Sequence, residues 1–217
     1  MSLIMLGGVK MPKETFFNLK PDKKAIVLNA ALKEFSQHSV QEASVANIVR
    51  DSEISRGSFY KYFEDIEDLY YYFYHHITQH AHGTVIEAIK NADGDLFKGL
   101  EGYLKELIHA FSDPLYHDYF KVLSLNLNYV TERRMGYQSQ GNPHGMATKP
   151  EEFIEVIDTN SLNAKTNEEL LTFFKVLVPV VHECLNDYFA KDWSEEQLMG
   201  EYRNRVKWLK FGIIHNE

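Results

Sequence analysis

Apolar residues recur at every third or fourth position through most of this 217-residue chain, a spacing that predicts amphipathic helices. Pro21 stands where a first helical turn would begin, and Ser44, Ser55 and Asp65 each precede another periodic segment, as helix-capping residues do. A helix is therefore predicted to begin at or directly after each of these residues, the last one continuing to about residue 83. No segment alternates as a strand does, so the predicted fold class is all-α.

The rest of the chain continues the helical pattern with one long interruption. Further helices are predicted at 84–91, 95–112, 114–130, 151–158, 167–192 and 194–216. Residues 131–150 are rich in Gly, Pro, Asn and Gln and lack periodicity, so they are predicted to form a long mobile loop. Residues 1–19 are expected to be a disordered leader.

Two short helices on either side of a tight break at residues 52–54 have the proportions of a helix-turn-helix unit. Phe59 and Phe63 stand four residues apart in the second helix, so they share a face that can anchor it to its domain. Their expected neighbours in the two preceding helices are Ile26, Phe35 and Ile48. The Tyr-Lys-Tyr run at 60–62 is then predicted to point outward, with hydroxyl and ammonium donors suited to phosphate.

Charge is unevenly distributed along the chain. The net charge is −8, yet the first 63 residues contain nine Lys or Arg against six Asp or Glu. A mildly basic N-terminal part joined to an acidic remainder fits a polyanion bound at one end only, with ordinary scatter of charges as the alternative. The single cysteine, Cys184, excludes an intramolecular disulfide and a cysteine-based zinc site, and a cytoplasmic location is the simplest interpretation.

The segments "AALKEF" and "SVANIVRDSEISRGSFYKYFEDIEDL" resemble the N-terminal domain of TetR-family transcriptional repressors. The residues that match the family's pattern are Ala30, Ala31, Phe35, Ile48, Ser55, Gly57, Phe59, Tyr60, Tyr62, Phe63 and Leu69. The resemblance implies a three-helix DNA-binding domain at 20–66, followed by a helical effector-binding and dimerisation domain at 67–217.

The resemblance also implies roles for individual residues. The positions expected at the DNA backbone are Ser44, Ser58, Tyr60, Lys61 and Tyr62, and those expected at base edges are Ala46, Ser55 and Arg56. Arg56 is the one long donor among the latter and can pair bidentately with guanine. Gly57 removes a side chain where a base edge or backbone comes close. Ordinary helix packing is the alternative role for Tyr60 and Tyr62.

Three features of the sequence depart from the family's pattern. Ser39 replaces a glycine, the turn reads Ser52-Glu53-Ile54 in place of Ala-Gly-Val, and Ile66 replaces a lysine. Glu53 is expected to hold an unfavourable backbone conformation. Position 66 therefore lacks the family's cation and stands among acidic neighbours, which should weaken the attraction to phosphate. The alternative function is a helical ligand- or partner-binding protein with weak or lost DNA affinity.

The same resemblance implies that the C-terminal part binds a small-molecule effector and a second copy of the chain. The effector candidates are His109, Phe111, Tyr116, Tyr119, Phe120, Leu123 and Asn126. Candidates for the interface between the last two long helices and their symmetry mates are Phe174, Leu177, Val181, Leu185, Tyr202, Leu209 and Ile213. Plain core packing is the alternative for both sets. A homodimer would match a palindromic double-stranded operator, from which the effector would release a repressor.

Enzymatic chemistry has little support in the sequence. His76 and His80 have a metal-sharing spacing, but a connecting helix with amphipathic Tyr and His is the favoured interpretation. One Glu-x-x-His pair, Glu106 with His109, is half of what a di-iron bundle requires. Cys184 is expected to be a buried structural thiol, and no phosphate-binding or nucleophile-elbow motif occurs. The sequence therefore predicts a non-enzymatic protein without metal or cofactor.

Overall fold

The computed structural model describes residues 12–78, 81–128, 131 and 150–212, and the regular elements within these ranges are all helical, as predicted. The helices in chain order are α1 (Glu14–Phe17), α2 (Pro21–Phe35), α3 (Val45–Asp51), α4 (Arg56–Tyr62), α5 (Ile66–Thr78), α6 (Ala81–Asn91), α7 (Leu96–Ala110), α8 (Pro114–Leu125), α9 (Pro150–Val156), α10 (Asn167–Ala190) and α11 (Glu195–Phe211). In the described part of the chain, none of them has the length and apolar character required to cross a bilayer.

Helix starts agree with the predicted caps better than helix ends do. Pro21 opens α2, and the Asp65 carboxylate accepts from the Asp68 amide at 2.9 Å. Helix α11, predicted to begin at residue 194, starts with a capping box at Ser194. Of the helix predicted to run to about residue 83, the structure describes α5 up to Thr78, and residues 79–80 lie outside the described range. Helix α8 ends at Leu125 instead of continuing to 130. The predicted mobile loop lies outside the described residues except at its two ends.

The chain divides into two compact units, residues 1–79 with 125–147, and residues 80–124 with 148–217. The first unit extends beyond the expected boundary at residue 66 because α5 packs against α2. The Phe35 ring lies 4.9 Å from the Tyr70 ring and 6.1 Å from the Phe73 ring, centroid to centroid. These aromatic contacts make α5 part of the core that supports the helix-turn-helix.

The first unit buries apolar side chains from α2 to α5 around a common centre. Phe35, Ile48, Phe59 and Phe63 are all fully buried. The predicted anchoring of α4 through Phe59 and Phe63, with Phe35 of α2 and Ile48 of α3 in the same core, is therefore confirmed. The expectation for Ile26 is wrong, since its side chain is 48% exposed. The buried face of α2 is formed instead by Val27, Leu28, Ala30, Ala31, Leu32 and Phe35.

Residues 12–19 are ordered, which corrects the prediction of a disordered leader for this part of it; residues 1–11 lie outside the described range. Phe16 of α1 is fully buried, and its ring lies 4.7 Å from that of Phe63 and 5.2 Å from that of Tyr72. A large aromatic side chain removed from water contributes about 1.5–3 kcal/mol. This burial compensates for the low intrinsic stability of a four-residue helix.

The second unit has its own core between α6, α7, α10 and α11. Gly99 lets α6 and α7 approach closely, because a Cβ there would lie 2.6 Å from the Cα of Ile89. Tyr202 of α11 is 1% exposed, and its hydroxyl donates to the Phe97 carbonyl at 2.9 Å. Burial raises the pKa of Tyr202, so the phenol remains a neutral donor that joins α11 to α7.

Candidate DNA-binding site

The helix-turn-helix consists of α3, a short turn and α4, and each helix begins at a serine cap. The Ser44 hydroxyl oxygen accepts from the Ala46 amide at 3.2 Å, and the Ser55 hydroxyl oxygen accepts from the Ser58 amide at 3.0 Å. Both predicted N-caps are therefore confirmed. The capping bonds fix the backbone at the very residues to which the resemblance assigns DNA contacts.

A buried carboxylate that the sequence analysis did not single out holds the start of α3. Glu34 of α2 is 6% exposed, and it accepts from the Ser44 amide at 2.6 Å and from the Asn47 side-chain amide at 3.0 Å. The His38 imidazole lies 3.6 Å from the same carboxylate. Since a buried charge is costly unless it is hydrogen-bonded, this network fixes α3 against α2. The sequence offers no signal for it, because Glu34 sits within an ordinary apolar-periodic helix.

The turn between the helices places Glu53 in the left-handed region, with φ at 53°. This is the unfavourable conformation expected from the sequence, and it costs a side chain of this type roughly 1–2 kcal/mol. Hydrogen bonds from the Glu53 amide to the Arg50 carbonyl and from the Ile54 amide to the Val49 carbonyl close the turn. The Glu53 side chain is exposed, so its negative charge lies at the surface beside α4.

The two faces of α4 differ sharply in burial. Phe59 is fully buried, whereas Arg56 and Lys61 are exposed and Tyr60 is 40% exposed. Arg56 Nη2 donates to the Tyr60 hydroxyl at 3.3 Å, and the guanidinium lies 5.7 Å from the centroid of the Tyr60 ring. The cation is therefore ordered on the exposed face by an aromatic ring that it can stack on.

The remaining predicted residues of α4 are less exposed. Ser58 and Tyr62 are half-buried, and the Ser58 hydroxyl lies 2.9 Å from that of Ser55. The Tyr62 ring lies 6.2 Å from the ring of Phe16, so helix packing, the alternative role, accounts for part of its surface. All nine candidate residues lie on α3, on α4 or at the N-caps of these two helices.

Gly57 has no conformational or steric reason to be glycine within the protein. It is exposed, its φ is not positive, and a Cβ added there would meet only the Ser55 hydroxyl oxygen, at 3.8 Å. Alanine would fit and would favour the helix. Because Gly57 has no side chain, the backbone of α4 is accessible on its exposed side.

An ion-pair cluster neutralises part of the positive charge near α3. Asp51 lies 2.6 Å from Lys33 Nζ and 2.8 Å from Arg50 Nε. The hydrogen bond from Arg50, joined by one from Lys33, lowers the pKa of Asp51 to about 2. Asp51 is thus ionised at neutral pH, and the local net charge is smaller than the count of cations indicates.

The effector candidates lie in the second unit except Asn126, which belongs to the first. The Phe120 ring lies 4.5 Å from the Phe111 ring and stacks at 5.0 Å on that of Phe189, a contact the sequence analysis missed because α10 is remote in sequence. Tyr116 joins this aromatic cluster, and Tyr119 and Leu123 are buried. His109 and Asn126 are exposed, and His109 Nε2 lies 3.1 Å from a Glu195 carboxylate oxygen.

The structure separates core from surface on the last two helices. Leu177, Val181 and Tyr202 are at most 4% exposed and lie in the core of their own unit, so the expectation that they contact a partner is wrong. Phe174, Leu185 and Leu209 are partly buried against that core, and Ile213 lies outside the described residues. The exposed apolar side chains of these helices are different ones: Val176, Val178, Trp208 and Phe211.

The sites considered for enzymatic chemistry hold no assembled cluster. Within the described residues, no group of three His, Cys, Asp or Glu side chains is placed to bind a metal, and His80 lies outside them. Cys184 is fully buried, as expected. Burial raises the pKa of its thiol, although the nearby Arg205 guanidinium acts in the opposite direction. A buried, protonated thiol is a packing group.

An all-helical chain whose N-terminal unit presents a doubly capped helix-turn-helix with an exposed polar face is a DNA-binding regulator of the helix-turn-helix class. Residues 27–73 match the family model described as bacterial regulatory proteins, tetR family. Residues 95–213, more than half of the chain, match the tetracyclin repressor-like, C-terminal domain. The chain belongs to the TetR family of transcriptional regulators.

Solved structures that are similar to the chain include two TetR-family regulators. A TetR transcriptional regulator from Rhodococcus sp. RHA1 is 13% identical, with a TM-score of 0.48 over 89% of this chain and 97% of that one. A TetR family transcriptional regulator from Chloroflexus aurantiacus J-10-FL is 23% identical, with a TM-score of 0.45 over 92% and 90%. Among curated proteins, no match is found.

Proposed function

We propose that this regulator is a homodimeric repressor that a small-molecule effector releases from a palindromic double-stranded operator. The observation that carries the DNA-binding part is the exposed face of α4, where Arg56, Tyr60 and Lys61 stand opposite the buried Phe59 and Phe63. A helix held by its apolar face and cationic on the other fits a major groove about 12 Å wide. A DNA partner implies that the protein acts in the cytoplasm.

Base reading is assigned to Arg56, with Ala46 and Ser55 beside it. The contact between Arg56 and Tyr60 orders the guanidinium before DNA arrives, which reduces the entropy lost on binding. The residues assigned to the phosphate backbone are Ser44, Ser58, Tyr60, Lys61 and Tyr62. Gly57 is assigned to the point of closest approach, since the fold itself does not require a glycine there.

Dimerisation is assigned to the exposed apolar side chains of α10 and α11. Val176, Val178, Trp208 and Phe211 are 45–73% exposed, and large apolar groups left in water favour a partner surface. A second copy is the occupant that fits a regulator with one reading helix per chain, because a palindromic operator offers two equivalent half-sites.

Effector binding is assigned to the second unit, near the aromatic cluster of Phe111, Tyr116, Phe120 and Phe189. A ligand releases DNA only if it binds the DNA-free conformation more tightly. The effect of the ligand on operator affinity must then equal the effect of the operator on ligand affinity. Equal ligand affinity with and without operator would refute effector-controlled release.

The DNA-binding assignment is tested with DNA from upstream of the protein's own gene, at several salt concentrations. Specific binding should weaken linearly in log–log form as salt rises, because each phosphate contact releases counterions. Arg56→Ala should lower specific affinity by about 1–3 kcal/mol, or roughly 5- to 150-fold. The control is Lys98→Ala, which removes one exposed cation from α7. Equal effects of the two variants would reduce the role of Arg56 to general charge.

A further inference from the structure

The short N-terminal segment at residues 12–17 makes hydrogen bonds to the end of the recognition helix α4. The Lys13 amide donates to the Tyr62 carbonyl at 2.8 Å, and Lys13 Nζ donates to the Tyr60 carbonyl at 2.8 Å. The Thr15 hydroxyl donates to the Lys61 carbonyl. Three consecutive carbonyls at the C-terminal end of α4 thus receive a donor from the same segment.

These carbonyls need partners that α4 itself cannot provide. The last four carbonyl groups of any helix lack intrahelical donors. Glycine caps commonly supply such donors, but the C-cap residue of α4 is Phe63, whose φ of −127° and ψ of 151° are extended. With only seven residues, α4 also has little stability of its own. Donors from outside the helix-turn-helix therefore decide how well its last turn is ordered.

The segment is firmly anchored in the first unit. Phe16 is fully buried, with its ring 4.7 Å from that of Phe63 and 5.2 Å from that of Tyr72. Lys24 of α2 donates to the Phe17 carbonyl at 3.3 Å, and its ammonium lies 5.6 Å from the centre of the Phe16 ring. Contacts to α2, α4 and α5 make the segment a fixed support from which Lys13 and Thr15 reach α4.

We propose that residues 12–17 form a clip that positions the recognition helix for DNA, with Lys13 and Thr15 as positioning residues. The carbonyls that the clip holds belong to Tyr60, Lys61 and Tyr62, the residues assigned to phosphate contacts. The clip lies before residue 27, where the match to the family's DNA-binding domain begins. This inference rests on the proposed entry of α4 into the major groove.

Thr15 is the sharper probe because it carries no charge, whereas Lys13 is exposed and close enough to α4 to touch phosphate itself. Thr15→Val removes the hydroxyl while keeping the shape, and Thr15→Ser keeps the hydroxyl. We expect Thr15→Val to weaken specific operator binding about two- to fivefold, the equivalent of one lost hydrogen bond. Thr15→Ser should restore wild-type affinity, and the salt slope should stay unchanged in both.

Hydrogen exchange provides a readout that does not need DNA. The Phe63 amide donates to the Phe59 carbonyl at 2.9 Å and closes the last turn of α4. Its protection should fall about two- to fivefold in Thr15→Val, through local opening, and recover in Thr15→Ser. A merely structural role would lower protection evenly across the unit and leave the affinity of the folded protein unchanged, which would overturn the proposal.

Lys13→Met tests whether Lys13 positions α4 or contacts DNA directly, with the exposed Lys20→Met as the control for lost charge. A positioning role predicts weaker binding with an unchanged salt slope. A slope reduced by about 0.9 would mark a direct phosphate contact and overturn the assignment of Lys13. If the wild-type protein binds DNA and Thr15→Val binds equally well, the clip proposal fails alone. A wild-type protein without specific DNA binding would overturn the proposed function and the clip's role together.

Discussion

Replacing Gly57 by alanine should separate the stability of the protein from its affinity for DNA. The added methyl group would meet only the Ser55 hydroxyl oxygen, at 3.8 Å, which is an ordinary van der Waals contact. Positive φ angles among the described glycines occur at Gly94 and Gly212, so the backbone at Gly57 suits alanine. Within the protein alone, the substitution has no steric cost.

The expected gain in stability follows from helix propensity. Glycine in a helix costs about 0.5–1 kcal/mol relative to alanine. For a unit of this size, 1 kcal/mol corresponds to a shift of about 4–8 °C in Tm. Gly57→Ala should therefore raise the Tm of the first unit by a few degrees.

The expected loss in DNA affinity follows from close approach. If the operator packs against the α4 backbone at Gly57, an added methyl group overpacks the interface. The binding free energy should then weaken by about 1–3 kcal/mol, which raises Kd roughly 5- to 150-fold. Gly102→Ala on α7 is the matched control, because its Cβ would lie 3.9 Å from the Ala88 Cβ and its unit lacks the reading helix. It should stabilise the protein without changing affinity.

Calorimetry and fluorescence anisotropy with a labelled operator measure the two effects on the same sample. A more stable Gly57→Ala variant that binds the operator within twofold of wild type would refute the close approach at this position. A less stable variant would refute the packing argument itself. Only a rise in Tm together with weaker binding supports the assignment of Gly57 to the DNA interface.

Three further experiments test other parts of the reasoning. Glu53→Gly removes the strain of the left-handed backbone conformation and a negative charge, so titrations should show tighter operator binding, most strongly at low salt. Glu53→Gln should reproduce the gain in affinity if charge alone causes it. Joint replacement of Trp208 and Phe211 by serine should weaken the dimer at least tenfold in sedimentation, whereas Leu115→Ser should not. Tyr202→Phe should lower the free energy of unfolding by about 1–3 kcal/mol in urea, since it leaves a buried carbonyl without this donor.

The sequence predicted the helix-turn-helix well because its signals are local. Ser44 and Ser55 mark helix starts through the chemistry of capping, and the spacing of Phe59 and Phe63 indicates one buried face. Ile26 was misplaced because α2 has apolar residues at three successive positions, 26–28, and periodicity alone does not settle which of them turns toward the core. The exposed Ile26 lines a groove of about 530 Å³ beside the turn.

Features that depend on distant residues left no readable trace in the sequence. The burial of Phe16 depends on Phe63 and Tyr72, far along the chain, and a four-residue helix is too short to show periodicity. The same holds for α10, which is apolar around much of its circumference. Only tertiary packing separates the buried Leu177 from the exposed Val176 beside it.

The acidic residues around α4 bear on selectivity more than on the identity of the site. Glu53 is exposed in the turn, and Asp51 neutralises nearby cations, so attraction to phosphate is reduced for every DNA sequence alike. Contacts to base edges, assigned mainly to Arg56, are made only at the correct sequence. A weaker attraction to phosphate leaves the ratio of specific to non-specific affinity intact and shortens the time that the protein spends on other DNA. We therefore expect Glu53→Gln to strengthen binding to operator and to random DNA by the same factor, and a gain confined to the operator would contradict this reasoning.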